Sequence, residues 1–433
     1  MKNIGYDALN LALKNSDSAE VYVEREKNID VDIQNNEIKF AKETFTYGIS
    51  VRVIIEGKMG FSYTTNTDKI EETVENAIFN AKSNVADENF NFAQKSKYSS
   101  VRGIYDKKVE SLQIEDFIEF AKTMINTVED AKCEPTSGGF SAGYGESLIL
   151  NSNDVECMDK SSMFSGFIAV NAEENGEIST AYEGKSSRNY DIDPVWIAEN
   201  ASNIAKNSLN GQPVETRDMD VLLDHHAASG LLGTFVNAVN ADNVQRGRSI
   251  FANEIGNEVV TPSLSIYDDG TYERGLSSSI SDGEGTASQK TPVIEDGILK
   301  NFLYDIYTAR KVNAQSTGNG MRASFADMPA VGLSNFILEF NDLIDTSEIK
   351  DGIIVTDVLG AHTANPISGD FSVEANNAFK IENGEITTPV KKAMLSGNIF
   401  NLMKDASGTS GEIRQMGPFV IPRIIARSLR VVG

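Results

Sequence analysis

The segment at residues 220–248 constrains the fold most, because it joins a buried strand directly to a buried helix. Residues 221–223 are an apolar run that predicts a strand, and Asp224 after them is a suitable N-cap for a helix. The apolar positions that follow have helical spacing, which predicts one buried face; they are Ala228, Leu231, Leu232, Phe235, Val236 and Val239. Gly230 and Gly233 each cost such a helix about 1 kcal/mol relative to alanine, so we expect another backbone or a ligand close to them.

The chain has 433 residues, which is too long for one ordinary core and favours two domains of roughly 200 residues each. The turn-forming residues 210–213 break the pattern, so we divide the chain into residues 1–210 and residues 211–433. The predicted fold class is α+β. The N-terminal domain is an α/β domain with an antiparallel meander and helices, and the C-terminal domain is β-rich and contains the central helix.

Apolar and polar residues alternate in several segments, as they do in half-buried strands. Strands are predicted at residues 19–24, 29–33, 48–55, 259–267 and 336–340. Helices are predicted at residues 6–13, 68–81, 114–128, 193–209 and 304–312. Turn residues at 295–297 and at 382–384 each lie between apolar runs and predict two β-hairpins.

The charge is strongly acidic, with 39 Lys and Arg against 63 Asp and Glu and a net charge of -24. Such a surface repels phosphate backbones and anionic lipid, so we expect neither nucleic acid nor a membrane as a direct partner. The two cysteines, Cys133 and Cys157, are too few for a disulfide framework or a thiolate metal cluster and indicate a reducing compartment. No apolar run approaches the length of a membrane span, and we expect a cytoplasmic protein.

The sequence Asp224-His225-His226 spells the signature of the DHH phosphoesterases, which use further His and Asp ligands upstream to hold two metal ions. This chain has three histidines and none precedes His225, so that site is not favoured. A single zinc ion held by His225, His226 and His362 is also disfavoured, because adjacent side chains on a helix point about 100° apart. We expect one of the two adjacent histidines to cover the first turn of the helix and the other to face solvent.

Four segments, taken together, resemble the TldD/PmbA family, which is known as a metallopeptidase family and historically as modulators of DNA gyrase. They lie in the family's order at residues 19–62, at 221–235, at 285–311 with 316–319, and at 368–372 with 381–390 and 396–400. The resemblance therefore extends over nearly the whole chain.

In the TldD branch of this family the central helix carries His-Glu-three residues-His, which binds zinc together with a C-terminal Cys, and the Glu serves as general base. Residues 222–223 and 230–233 match the flanks of that motif and fix its register. The positions of the first His, the Glu, the second His and the Cys hold Asp224, His225, Ser229 and Ser410. Serine is a poor zinc ligand, so the chain resembles the TldE/PmbA branch, which lacks the zinc motif.

This resemblance implies a pseudoenzyme subunit that is inactive alone, holds no metal or other cofactor, and forms a heterodimer with a TldD-type homologue. The zinc is then expected in that partner only, and the complex is expected to degrade peptides or unfolded proteins. Two alternatives stay open: a hydrolase that is active by itself through an unrecognised site, and a homodimeric peptide-binding protein. For peptide binding, Gly369, Asp370, Phe371 and Ser372 are candidates beside a sheet edge that holds an extended chain, although the same residues also fit a simple turn between strands.

Overall fold

A six-stranded antiparallel sheet organises the first half of the chain in the computed structural model, which describes residues 1–433. Its strands are β1 (Ser18–Gln34), β2 (Glu37–Ile55), β3 (Lys58–Thr64), β4 (Glu134–Asn151), β5 (Glu156–Glu174) and β6 (Glu177–Ser187). Their spatial order is β3-β2-β1-β4-β5-β6. The meander predicted for this half is confirmed, but residues 19–24 and 29–33 belong to one strand of 17 residues, β1. They merge because the polar residues between them pair with β2 on one side and with β4 on the other.

Four helices cover one face of this sheet. They are α1 (Lys2–Leu13), α2 (Ile70–Ser83), α3 (Ile114–Asp130) and α4 (Pro194–Asn207). Alternate residues of β1 supply the apolar contacts: Val21 and Val23 pack with α1 and α2, whereas Ile29 and Val31 pack with α3 and α4. Asp193 caps α4 by accepting the Val195 N–H, and Pro194 occupies the first turn, where no intrahelical hydrogen bond is lost. No helix of the chain is long and apolar enough to cross a membrane.

The second half is rich in short strands. Its elements are β7 (Arg217–Leu223), α5 (His225–Phe235), α6 (Ala241–Gln245), β8 (Leu264–Asp269), β9 (Lys290–Glu295), β10 (Ile298–Leu299), α7 (Ile306–Lys311), β11 (Gly320–Met321), β12 (Ala330–Val331), β13 (Phe336–Phe340), β14 (Leu343–Ile344), β15 (Asp351–Leu359), β16 (Asp370–Glu382), β17 (Glu385–Val390), β18 (Met394–Asn398), α8 (Ile399–Lys404), β19 (Ser407–Thr409), β20 (Arg414–Met416), β21 (Phe419–Ile421) and β22 (Ile424–Val432). Short 3₁₀ turns lie at Thr67–Lys69, Lys107–Glu110, Val236–Ala238, Thr346–Glu348 and Ala361–Thr363.

These strands form two main sheets. In the larger sheet, β7, β15, β16, β18 and β22 close on themselves, because β22 pairs with β18 and also with β7. The smaller sheet has the order β10-β9-β8-β13-β21-β20. Helix α5 leaves the end of β7 and packs with both sheets in a single apolar cluster. The strands of the two halves thus lie in separate sheets, and the division of the chain near residue 210 stays a prediction.

Both predicted hairpins are confirmed, at Asp296-Gly297 and at Asn383-Gly384, where each residue has positive φ. The strand predicted at residues 259–267 begins only at Leu264. Pro262 has no N–H to give to a ladder, and it forms a turn with Ser263 instead. The helix predicted at residues 304–312 is shorter, because Asp305 caps its first turn at Ile306.

The two glycines of α5 have different surroundings. A Cβ on Gly230 would lie 3.3 Å from Val358 Cγ2, so another element does approach it closely. A Cβ on Gly233 would meet nothing within 4 Å. The expectation of a close neighbour is therefore wrong for Gly233, which lies on the exposed face of the helix.

We expect Gly233→Ala to raise the free energy of unfolding by about 0.5–1 kcal/mol, because alanine restricts the unfolded chain and meets no obstacle in the folded one. Gly60→Ala serves as the matched comparison, since its Cβ would lie 2.0 Å from the carbonyl oxygen of Ala77 and must destabilise the protein. Urea denaturation measures both changes. A loss of stability in Gly233→Ala would contradict the open surroundings described for this position.

Candidate functional site

Two of the candidate residues, Asp224 and His225, lie together at the start of α5. Asp224 has extended backbone geometry and caps the helix by accepting the His225 N–H at 2.7 Å. Its own N–H donates to the carbonyl oxygen of Val355 on β15 at 3.0 Å, so the register of the sheet fixes where the helix begins. The predicted N-cap is confirmed.

His225 is 1 % exposed, and both nitrogens of its ring face acceptors. Nδ1 lies 2.8 Å from Asp224 Oδ1, and Nε2 lies 3.1 Å from the carbonyl oxygen of Glu412. Glu412 belongs to the loop at residues 410–413, in which Ser410 also lies. The fold therefore brings the loop that contains Ser410 to the start of α5.

A guanidinium group compensates the charge of Asp224. Arg423, just before β22, donates from Nε to Asp224 Oδ1 at 3.0 Å. Burial works to raise the pKa of Asp224, but the hydrogen bond from His225 and the charge and hydrogen bond of Arg423 hold this pKa well below its usual range. The carboxylate is thus ionised and already has a cationic partner within the chain.

His226 is held by the edge strand β6 of the N-terminal sheet. Its Nε2 lies 2.9 Å from Glu183 Oε1 and its Nδ1 lies 3.2 Å from the hydroxyl oxygen of Tyr182. Arg414 binds the same carboxylate with two nitrogens, at 2.9 and 3.1 Å. Burial opposes ionisation of Glu183, yet His226 and Arg414 lower its pKa to about 2. The prediction that one of the two adjacent histidines faces solvent is wrong, since the His226 side chain is only 11 % exposed.

The remaining positions of the motif hold hydroxyl groups with other contacts. Ser229 Oγ donates to the carbonyl oxygen of His226 at 3.0 Å. Ser410 is exposed, and its Oγ lies 3.5 Å from Asp345 Oδ2. His362 is exposed in a 3₁₀ turn and has no hydrogen bond or ion pair with the residues at the start of α5.

These donors do not fit a zinc ion. Structural zinc has four protein ligands and catalytic zinc has three, from Cys, His, Asp or Glu. No group of three or more such side chains is arranged to hold a metal. Asp224 is already bound by a helix N–H and a guanidinium, and His225 is bound at both nitrogens. The arrangement is an ion-paired helix start.

A cleft of about 460 Å³ lies beside this helix start, between β6 and residues 412–415. Trp196 of α4 forms one wall, with Arg414 at 5.2 Å and Lys185 at 5.6 Å from its ring. Glu183, Arg414 and Trp196 are not among the candidate residues predicted from the sequence. No local motif indicates them, because Glu183 and Arg414 are 231 residues apart in the chain.

The segment proposed for peptide binding forms the start of β16. Gly369 has φ of 81°, and a Cβ there would lie 2.5 Å from the Phe400 ring. Asp370 accepts from Asn398 Nδ2 at 2.9 Å, whereas the Phe371 side chain is buried in the core. Ser372 is exposed. A role of this segment in peptide binding stays a prediction, and the contacts of Gly369 and Phe371 are those of a structural turn.

Comparison with known proteins agrees with the resemblance seen in the sequence. Three sequence profiles match the chain: PmbA/TldA metallopeptidase domain 1 at residues 19–81, the central domain at residues 107–209, and the C-terminal domain at residues 216–433. An uncharacterized protein of Methanocaldococcus jannaschii is 35% identical over 410 residues, covering 94% of each chain. A metalloprotease TldD homolog of Haemophilus influenzae is 28% identical, covering 91% of this chain and 85% of its own. The crystal structure of TldE from Thermococcus kodakarensis superposes with a TM-score of 0.92 at 22% identity, over 99% of this chain and 100% of that one.

Glu183→Gln should lower the free energy of unfolding by about 2 kcal/mol near neutral pH, because it leaves the half-buried Arg414 without its charged partner. The folded pKa of Glu183 lies below its ordinary value, so the stabilisation is present above about pH 4.3 and is lost as the pH falls towards 2. Urea denaturation of the protein and the variant should show a constant difference from pH 5 to 8 that shrinks below about pH 4. A difference near zero at pH 7 would contradict this role of Glu183.

Proposed function

This chain belongs to the PmbA/TldD metallopeptidase family, and we propose that it is the zinc-free, non-catalytic subunit of a metalloprotease complex. Its partner in this proposal is a TldD-type homologue that carries the zinc. The complex acts on peptides or unfolded proteins. This chain contributes the interface and part of the surface that binds the substrate.

The ion pair between Asp224 and Arg423 carries the proposal. A divalent ion would need the Asp224 carboxylate as a ligand, but this carboxylate already contacts a fixed positive charge at 3.0 Å. A metal ion bound to this carboxylate would be repelled by the positive charge of Arg423. The hydroxyl groups of Ser229 and Ser410 cannot replace the missing imidazole and thiolate ligands.

The comparisons support a partner without identifying it. One relative is described as a metalloprotease TldD homolog, and a structural neighbour is TldE, so both kinds of chain share this fold. The cleft lined by Trp196 and the edge strand β6 is a surface on which an extended peptide can be held by backbone hydrogen bonds. The acidic charge of the chain fits this role better than binding to nucleic acid.

Co-expression with a TldD-type homologue from the same genome tests the proposal. We expect peptide and casein cleavage only when both chains are present, and a stable complex of the two in size-exclusion chromatography. Each chain is also assayed alone. Cleavage by this chain alone would favour the alternative of an independent hydrolase, and unchanged activity of the homologue without it would refute the subunit role.

Rebuilding the zinc site tests the role of Arg423. We expect the fourfold variant Asp224→His, His225→Glu, Ser229→His and Ser410→Cys to bind zinc about tenfold more tightly once Arg423→Met is added, because a nearby cation is removed. Competition with a chromogenic chelator measures the affinity. Arg427→Met is the matched control, since Arg427 on β22 pairs with Asp220 on β7, the two strands that adjoin Arg423 and Asp224. Equal zinc affinity with and without Arg423 would contradict its proposed effect.

A further inference from the structure

A second group of charged residues is buried where the N-terminal sheet contacts two loops of the C-terminal half. Glu20 and Arg52 come from β1 and β2, Asp282 and Glu284 from the loop at residues 281–287, and Arg322 from the segment after β11. Each of the five side chains is at most about 4 % exposed. This cluster lies outside the site at α5 and is part of none of its contacts.

Two arginines join the halves within this cluster. Arg52 binds the Glu20 carboxylate through Nε at 2.9 Å and a terminal nitrogen at 2.7 Å. Its other terminal nitrogen lies 3.5 Å from Glu284 Oε1. Arg322 donates to the same Glu20 carboxylate at 2.5 Å and also to the carbonyl oxygen of Gly283 at 2.7 Å. The C-terminal loops are thus attached to the sheet through charged groups.

The carboxylates outnumber the guanidinium groups. Asp282 accepts the N–H groups of Glu284, Thr286 and Gly320, each at 2.9 Å. Glu284 accepts the Ile306 N–H at 2.8 Å and has only the long contact to Arg52 as a charged partner. Fully ionised, Glu20, Asp282 and Glu284 place three negative charges beside two positive ones in a buried position, where bulk solvent screens them little.

Further ionisable groups lie around Glu284. Asp305 is buried at the start of α7 and repels an ionised Glu284, whereas the charge of Arg322 attracts it. Glu24 lies at the same interface, where it accepts the Phe325 N–H at 2.9 Å.

Two further ionisable groups at this interface are neutral near pH 7, because burial raises their pKa values. The Tyr98 hydroxyl donates to the carbonyl oxygen of Gly285, and the Cys157 thiol lies 3.1 Å from Ser281 Oγ.

Glu284 is the carboxylate that most readily binds a proton and so reduces the excess negative charge. Three N–H donors stabilise the ionised form of Asp282, whereas Glu284 has one such donor. Burial raises the pKa of Glu284, Arg52 opposes this rise, and the carboxylates of Asp282 and Asp305 add to it. The proton shared by these carboxyl groups therefore lies on Glu284.

We propose that this cluster is a proton-linked latch between the two halves of the chain. Glu284 is protonated when the loops at residues 281–287 and 319–327 are docked on the N-terminal sheet, and it releases the proton when the loops separate from the sheet. A group whose pKa is raised in the docked state favours docking at low pH and ceases to do so as the pH rises through that raised value. The docked state is therefore strongly favoured at slightly acidic pH and less favoured in alkaline solution.

Amide hydrogen exchange of the full chain between pH 6 and 9 tests the latch. The segments to monitor contain Ile306 and Gly320, whose N–H groups bond to the carboxyl groups of Glu284 and Asp282. After correction for the intrinsic exchange rate, we expect the opening constant to rise about tenfold per pH unit below the raised pKa of Glu284 and to level off above it. An opening constant that does not change between pH 6 and 9 would refute the proposal.

Glu284→Gln is the decisive variant, because glutamine still accepts the Ile306 N–H but cannot ionise. We expect its opening constant to be independent of pH, and we expect Glu385→Gln, which alters an exposed glutamate on β17, to behave as the unaltered chain. A pH dependence that persists in Glu284→Gln would overturn the assignment.

A measurement on the unaltered chain does not depend on the folding of the variant. Infrared spectroscopy with ¹³C-labelled glutamate should show the band of a protonated carboxyl group at pH 7 that disappears by pH 9. The absence of this band at pH 7 would also refute the latch.

Discussion

The arrangement of side chains at the start of α5 depends on the ion pair between Asp224 and Arg423. A carboxylate at the start of a buried helix is stabilised by the free N–H groups and the dipole of the helix, and here the guanidinium of Arg423, just before the last strand, neutralises it as well. The same contact fastens α5 to β22, the strand that closes the larger sheet. The same ion pair thus stabilises the start of the helix and places a cation beside the Asp224 carboxylate.

The two histidines at the start of α5 have structural partners on different elements. His225 connects the helix to the loop at residues 410–413, and His226 connects it to the edge of the N-terminal sheet through Glu183. Arg414 then binds Glu183 from the C-terminal side. The start of α5 therefore serves as a junction between the two halves of the chain. The second charged cluster, around Arg52, fastens the same two halves at a separate place.

Sequence motifs correctly predicted the features that depend only on residues close to each other in the chain. The turns at residues 295–297 and 382–384 and the N-cap Asp224 follow from backbone geometry, and the structure contains them. The alternation that predicted two strands in residues 19–33 could not show that the polar residues between them pair on both sides. The environment of His226 could not be predicted, because its partner Glu183 is 43 residues away and no period or motif connects them. Gly233 shows that a glycine in a helix does not by itself imply a close neighbour.

The metal content of the chain by itself tests the account most directly. The protein would be purified without a metal-affinity tag, equilibrated with zinc and freed of unbound ion. Its zinc content would then be measured by elemental mass spectrometry. The account predicts a zinc content far below one ion per chain, because the Asp224 carboxylate is bound to Arg423 and the serines supply no ligand. One tightly bound zinc ion per chain that is lost in Asp224→Ala would contradict it.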